Sequence, residues 1–180
     1  MNQIFTKYRN LAQEAGVPAS QKKSLEWFRK RIRKDRIRDM DRVTEGFKRA
    51  RIREGEMVTY RYDPLLKEKL KYYDVQPLIV ILEVYLDGWL GVNVHYLPPE
   101  FRAKLFYELQ YKKKNMRVIA EQLKKHPISY PAIKRYKAQK VLGEATLIPK
   151  EEWDIAIQLP YERFVGASLK QVWNKSRSKI

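Results

Sequence analysis

The alternation of apolar and polar positions is clearest in residues 89–97, and it is typical of a half-buried β-strand. Val92 and Val94 fall on the apolar side, whereas Asn93 falls on the opposite side and is predicted to face solvent. Residues 78–85, just before this stretch, form the most apolar run in the chain. Because an aspartate–glycine pair supplies a turn between the two runs, we predict a β-hairpin.

Similar patterns elsewhere in the chain predict an antiparallel sheet around this hairpin. Its expected strands are residues 56–62, 77–86, 89–97 and 152–159. Residues 100–113 place apolar side chains on one face of a helix that should pack beside the sheet. These elements predict an α+β fold built on a small twisted antiparallel sheet. A barrel of the Src-homology-3 kind is one form that such a sheet can take.

Helical patterns lie on both sides of the predicted sheet. Residues 3–15 form a short amphipathic helix, which must dock on another surface because so short a helix is marginal alone in water. The apolar stripe of residues 20–45 fades after Ile32, so we expect this segment to project as a basic arm. Beyond the hairpin, residues 116–125 and 131–141 predict two short basic helices.

A last helix is predicted from Ser168, where a glutamine three residues later completes a capping box. The predicted organisation is a helical basic arm over residues 1–55 and an α+β core domain over residues 56–180. The core domain includes the last strand and the last helix. Basic helical extensions are therefore expected at both ends of the fold.

Positive charge is concentrated in two segments, and this changes the functional interpretation. The net charge is +17. Residues 20–53 contain 14 Lys/Arg against five Asp/Glu, and residues 111–140 contain 10 against one, so each segment carries +9 and the other 116 residues sum to −1. Such segregation suits a negatively charged partner, either nucleic acid or an acidic protein surface. The alternative is a set of solvated helix faces that bind nothing.

The candidate contact residues for nucleic acid or for an acidic partner all lie in these two segments. They are Arg29, Lys30, Arg31, Arg33, Lys34, Arg36, Arg38, Lys112, Lys113, Lys114, Arg117, Lys124 and Lys125. Aromatic residues interleaved with basic ones, Tyr136 among them, could stack on exposed bases, although packing in a core explains them equally well. A protein that binds the duplex backbone needs mainly lysine and arginine.

Catalytic patterns are weak in this sequence. There is no cysteine, and neither His95 nor His126 has an acidic residue at metal-ligand spacing, so His95 is predicted to be a core or edge histidine. Asp74, Glu83 and Asp87 flank the predicted sheet but lack the spacing of a nuclease motif. We therefore expect a protein that is not an enzyme, with no metal, cofactor, small-molecule substrate or membrane segment.

Several stretches carry a family resemblance, namely residues 24–28, 62–64, 70–78, 87–99, 152–156, 159–160 and 172–177. They resemble a family of small basic proteins of large, contractile-tailed bacteriophages. The resemblance runs from about residue 24 to the end and does not cover residues 1–20. It implies a component of the virion or of virion assembly, and it supplies no catalytic residues.

Two functions fit these observations. The first is a virion structural protein at a head–tail, tail or baseplate junction, which docks on neighbouring virion proteins through its basic segments. The alternative is a sequence-independent DNA-binding protein that guides or protects the ends of packaged double-stranded DNA. A nuclease is a distant third. Either of the first two would place the protein in the virion, after assembly in the host cytoplasm.

Overall fold

The computed structural model describes residues 3–17, 26–31, 47–48, 51–111 and 115–177. The helices in this part of the chain are α1 (Gln3–Glu14), α2 (26–31), α3 (Pro99–Tyr111), α4 (Met116–Lys125), α5 (Trp153–Ala156) and α6 (Leu169–Arg177). The strands are β1 (Phe47–Lys48), β2 (Met57–Tyr62), β3 (Tyr73–Asp74), β4 (Leu78–Tyr85), β5 (Gly88–Asn93), β6 (Ile133–Lys137), β7 (Val141–Ile148) and β8 (Phe164–Val165). None of the helices described is long and apolar enough to cross a membrane.

The main sheet is antiparallel and has the strand order β1-β7-β2-β4-β5-β6. The predicted hairpin is confirmed as β4 and β5, with Val80 opposite Val92. The predicted strand 89–97 is too long, because β5 ends at Asn93 and Val94–Tyr96 form a 3-10 turn. The described parts of β1 and β6 end the order without pairing with each other, so the sheet is open. The α+β class and the antiparallel sheet are confirmed, whereas the Src-homology-3 form is not. Strands β3 and β8 form a separate small sheet.

Both faces of the sheet are covered, and this explains its burial pattern. On one face, Val80 and Val92 pack among helices, α3 included, as the sequence predicts. On the other face, Tyr60, Trp89 and Tyr136 form an aromatic layer in which Trp89 Nε1 donates to Tyr60 Oη at 2.8 Å. Residues 78–82 of the middle strand β4 are therefore buried on both sides, whereas Val84 and Tyr85 at its end are exposed.

The predicted strand at 152–159 is wrong, because this segment is a 3-10 turn followed by α5. Trp153 donates its indole N–H to the carbonyl of Ile148, and the amide of Ile157 donates to the carbonyl of Trp153. The polar position Gln158 is buried as well as the apolar ones, so the alternation did not mark two faces. A short helix buried on all sides gives the same sequence pattern as a strand.

The predicted helix at 131–141 is also wrong. Its first half is strand β6, which pairs with β5 from Ile133 opposite Val92 to Lys137 opposite Gly88. A 3-10 turn and the eight-residue strand β7 follow, and the sequence pattern did not predict β7. Few apolar positions mark β6, so pairing with a buried neighbour, rather than its own pattern, determines its conformation.

The amino-terminal segments pack into the core rather than projecting from it. Helix α1 is confirmed, and its Tyr8 and Ala12 are buried together with Phe28 of α2 against Trp153. The expectation of a projecting arm is therefore wrong for residues 26–31, and most of segment 20–45 lies outside the described residues. The division into domains near residue 55 stays a prediction.

Candidate nucleic-acid interface

Strand β6 lies at one end of the sheet order and carries three basic residues in five positions. Within the described residues it pairs with a strand on one side only, so its other edge is not covered by the sheet. Lys134, Arg135 and Lys137 project from this strand, and Tyr136 between them points into the aromatic layer. Lysine on an edge strand also discourages pairing with other strands, which is a structural role for the same residues.

A pocket of about 290 Å³ opens beside β6, and tyrosine is the most frequent residue type in its lining. The five tyrosines are Tyr62, Tyr72, Tyr73, Tyr96 and Tyr136. Ring contacts hold four of them: the Tyr62 and Tyr136 centroids are 5.0 Å apart, and those of Tyr72 and Tyr96 are 6.0 Å apart. Ordered rings of this kind offer flat surfaces on which a planar ligand can stack.

Burial keeps three phenol groups of the pocket neutral, and hydrogen bonds hold the hydroxyls of Tyr62 and Tyr136 in place. The hydroxyl of Tyr62 accepts from the amide of Lys137, and the hydroxyl of Tyr136 accepts from Asn93 Nδ2. Burial raises the pKa of Tyr72, Tyr96 and Tyr136 above the usual value for tyrosine. These three groups therefore carry no negative charge at neutral pH and do not repel an anionic ligand.

The rim of the pocket is positively charged overall. Arg135 and Lys137 both pair with Asp87, while the Lys134 ammonium lies 4.7 Å from the centroid of the Tyr96 ring. Lys134, Arg135 and Lys137 line the pocket together with the buried Asp74, so these four residues and Asp87 carry a net charge of +1. Because Asp87 is exposed, its two ion pairs are open to competition from an incoming phosphate.

The floor beneath the tyrosines is a buried polar cluster around Asp74. One carboxylate oxygen accepts from the amides of Gln76 and Arg163, and the other accepts from Asn93 and contacts His95 Nδ1 at 2.6 Å. His95 is confirmed as a buried histidine. It nevertheless has an acidic partner, Asp74, which comes from 21 residues away and which local spacing could not reveal.

The outward orientation predicted for Asn93 is wrong. Its side chain is fully buried, donates to Asp74 and Tyr136, and accepts from the amide of His95. Val92 and Val94 are buried as predicted. The period of two correctly separated the two faces of the strand, but the second face meets the aromatic layer instead of water.

A buried cation also supports the chain around His95. Arg102 of α3 is fully buried and donates to the carbonyls of His95, Leu97 and Ile157. Its guanidinium also lies 5.3 Å from the Trp173 ring centroid. Desolvation lowers the pKa of Arg102 to about 9. This residue is held entirely by internal partners, and its role is to fix the chain around His95.

The sequence-predicted contact residues are found in several different environments. Arg29 forms an ion pair with Glu162, and Lys124 pairs with Glu121 at 3.1 Å. Lys30, Arg117 and Lys125 are exposed, and Arg31 is half-buried. The candidates that lie outside the described residues are Arg33, Lys34, Arg36, Arg38, Lys112, Lys113 and Lys114. The role of the whole set stays a prediction.

The pocket residues on β6 were missing from the predicted contact set. Lys134, Arg135 and Lys137 lie within the basic segment 111–140, and the interleaved Tyr136 was the signal that could have identified them. The described residues contain no group of three His, Asp or Glu side chains able to hold a metal ion. The chemistry that this site offers is stacking on aromatic rings together with attraction of anions.

The comparisons with known proteins identify a viral family. Fold and site together define a small, basic α+β protein with a tyrosine-lined, cationic pocket. The profile of the phage T4 terminal DNA protecting protein family matches residues 1–177, and the chain belongs to this family. No curated protein and no solved structure matches it.

The family match refines the resemblance found in the sequence. It confirms a bacteriophage protein family, and it extends to residue 1 instead of beginning near residue 24. The description of the family agrees with DNA protection, which was the alternative interpretation, and not with a role at a tail, neck or baseplate junction. The assignment to a virion-assembly family is not supported.

Proposed function

We propose that this protein binds the ends of linear double-stranded DNA and shields them from exonucleases. The observation that carries the proposal is the family match over residues 1–177, since the family is described as terminal DNA protecting. An exonuclease must reach the terminal nucleotide, so a protein that occupies the end blocks digestion without any chemistry of its own. We propose accordingly that the protein is not an enzyme and that it needs no cofactor.

The charge of the chain supports this function. A net charge of +17 favours a polyanionic partner, and contacts to phosphates carry no sequence information. Exposed cations occur on several described elements; they include Lys7, Lys30, Arg51, Arg53, Arg61, Lys104, Arg117 and Lys125. Binding should therefore be independent of sequence and should weaken steeply with salt. We place the protein with the phage DNA, either in the virion or in the host cytoplasm.

An exonuclease-protection assay tests the proposal. Linear duplexes with two free ends would be incubated with the purified protein and then with a duplex exonuclease, and the surviving full-length DNA would be measured. We expect protection of free ends, and we expect covalently closed circles of the same sequence to compete poorly for the protein. Equal affinity for circles and linear DNA, or unprotected ends at saturating protein, would overturn the proposal.

Two controls separate end binding from other effects. Adding excess unlabelled linear DNA should restore digestion, because it removes the protein from the labelled ends without touching the nuclease. Incubating DNA with the protein alone, with and without divalent cations, should leave the DNA intact. Cleavage in that control would contradict the proposal that the protein is not an enzyme.

A further inference from the structure

We propose that the tyrosine-lined pocket beside β6 holds a single unpaired nucleotide at the DNA terminus. This inference rests on the proposed function and assigns a site and a ligand to it. The volume of about 290 Å³ is at the lower limit of small-ligand pockets. A pocket of this size accepts one nucleotide and excludes a stacked base pair. The terminal residue must therefore leave the duplex to enter it.

The pocket offers the two groups that recognition of any nucleotide requires. Tyrosine rings supply stacking surfaces that tolerate every base, because every base has a π-face. Tyr72 and Tyr73 are only half-buried, so their rings are accessible from the pocket, whereas Tyr96 and Tyr136 form its buried wall. Lys134 and Lys137 stand on the adjacent strand, where a phosphate attached to a stacked nucleotide would meet them.

The apolar part of the pocket rim is a suitable contact surface for the end of the duplex. Leu65, Leu66 and Leu70 line the same pocket and are 56%, 55% and 45% exposed. Three exposed leucines on one rim form an apolar patch, and such a patch can mark an interaction site. Apolar side chains of this kind can lie against an unstacked base step and hold it open. When the terminal nucleotide enters the pocket, the face of the last base pair is uncovered. The leucines can lie against that face.

The two carboxylates nearest the pocket, Asp74 and Asp87, are both engaged by partners within the protein. Both oxygens of Asp74 are engaged by Gln76, Arg163, Asn93 and His95, so the buried carboxylate is already satisfied. The carboxylate at the rim, Asp87, is held by two cations of β6. A phosphate can replace Asp87 at one of these two cations, Arg135 or Lys137, while the remaining cation stays paired with Asp87.

The test uses duplexes closed by a hairpin at one end, so that each molecule has one free end. That end would be blunt, or would carry one unpaired 3′ or 5′ nucleotide, each with and without a terminal phosphate. Placing 2-aminopurine as the unpaired base reports stacking directly. We expect at least one overhang to bind about tenfold more tightly than the blunt end, as for one stacked base. Its 2-aminopurine fluorescence should be quenched on binding.

Matched variants connect this preference to the pocket. Tyr73→Leu should reduce the affinity for the overhang to that for the blunt end, and Tyr73→Phe, which keeps the ring, should not. Tyr107→Leu alters an exposed tyrosine of α3 and should have no effect. Lys134→Ala should weaken overhang binding more than Lys104→Ala, an equal change of charge at an exposed position of α3. Thermal melting of each variant checks that the fold persists.

The possible outcomes separate the two proposals. If the protein prefers free ends to circles but binds blunt and overhanging ends equally, the pocket inference fails and the proposed function stands. The same conclusion follows if Tyr73→Leu weakens both kinds of end by the same factor. If free ends are not preferred at all, the proposed function itself fails. If quenching requires the terminal phosphate, the phosphate contact contributes most to binding of the unpaired nucleotide. If quenching occurs without the phosphate, stacking of the base contributes most. Both results support the inference.

Discussion

The imidazole of His95 and the carboxylate of Asp74 form a buried pair, with His95 Nδ1 2.6 Å from Asp74 Oδ2. Desolvation lowers the pKa of His95, and the neighbouring carboxylate opposes this effect only in part. The neutral imidazole therefore donates its Nδ1–H to Asp74. Since His95 follows β5 and Asp74 ends β3, the pair ties the main sheet to the small one beneath the tyrosine pocket.

This pair predicts that the protein loses stability in mild acid. An unfolded histidine titrates near 6.5, and the folded-state pKa of His95 lies below that value. Between the two values the unfolded chain binds a proton that the folded chain does not, so the free energy of unfolding rises with pH across this window. Stability is therefore lost as the pH falls below about 6.5. Urea unfolding at about pH 5 and about pH 8 measures the difference.

A variant without a titrating ring provides the control for this prediction. His95→Asn keeps an amide donor near Asp74 but removes the ionisation. Its unfolding free energy will be lower at both pH values, and the difference between them should be smaller than in the wild type. An unchanged difference would assign the acid sensitivity to other groups.

We predict next that Asn93→Ala destabilises the fold by about 2 kcal/mol, because buried partners lose their hydrogen bonds. The substitution removes a donor to Asp74 and to Tyr136 and the acceptor for the amide of His95. Asn174→Ala, at an exposed position of α6, is the matched control and should change stability by less than about 0.5 kcal/mol. Urea unfolding of the two variants makes the comparison. Equal effects would mean that the Asn93 network contributes nothing.

The Asn93 result shows how far sequence periodicity reaches in this protein. The pattern located the hairpin and placed Val92 and Val94 in the core, because side chains alternate along any strand. It could not show that the opposite face would be covered by an aromatic layer from β2 and β6. The aromatic layer is formed by tertiary contacts between residues far apart in the sequence, and a local pattern of apolar positions cannot predict such contacts.

The two wrong elements have related causes. Residues 153–159 are buried apart from Asp154, so their apolar positions do not distinguish a helix from a strand. Strand β6 is mostly charged and is a strand because β5 lies beside it. The pocket was beyond prediction for the same reason, since its tyrosines come from separate parts of the chain. The sequence did show the concentration of charge in 111–140 and, within it, the interleaved Tyr136.

The close contact inside the hairpin gives a further prediction. A Cβ on Gly91 would overlap Ile79 Cγ2 and lie 2.9 Å from the carbonyl oxygen of Val80. Gly91→Ala should therefore destabilise the protein by about 1–3 kcal/mol, the usual cost of overpacking a core. Gly143→Ala is the matched comparison, since nothing lies within 4 Å of its Cβ position and any loss there reflects its positive φ of 80°. Thermal melting of both variants measures the two costs.

The last prediction concerns Asp87, which holds Arg135 and Lys137 at the rim of the pocket. The ion pair with Lys137, and to a smaller extent that with Arg135, lowers the pKa of Asp87. The Asp87 carboxylate therefore stays charged and competes with a DNA phosphate for the two cations. Asp87→Asn removes this competitor and keeps an asparagine–glycine turn, which hairpins accept readily. We expect tighter binding to linear DNA. The log–log salt slope should steepen by about 0.9 for each additional phosphate contact.

Removing a negative charge anywhere on the protein would raise DNA affinity slightly, so the control must carry the same change of charge. Glu121→Gln does so, and it removes the shorter of the two ion pairs of Lys124, a predicted contact residue on α4, while the pair with Glu83 at 3.9 Å remains. If β6 contacts the DNA, Asp87→Asn will tighten binding more than Glu121→Gln at every salt concentration in an anisotropy titration. Equal tightening would mean that net charge alone is responsible. A larger effect of Glu121→Gln would move the DNA contact from β6 to α4.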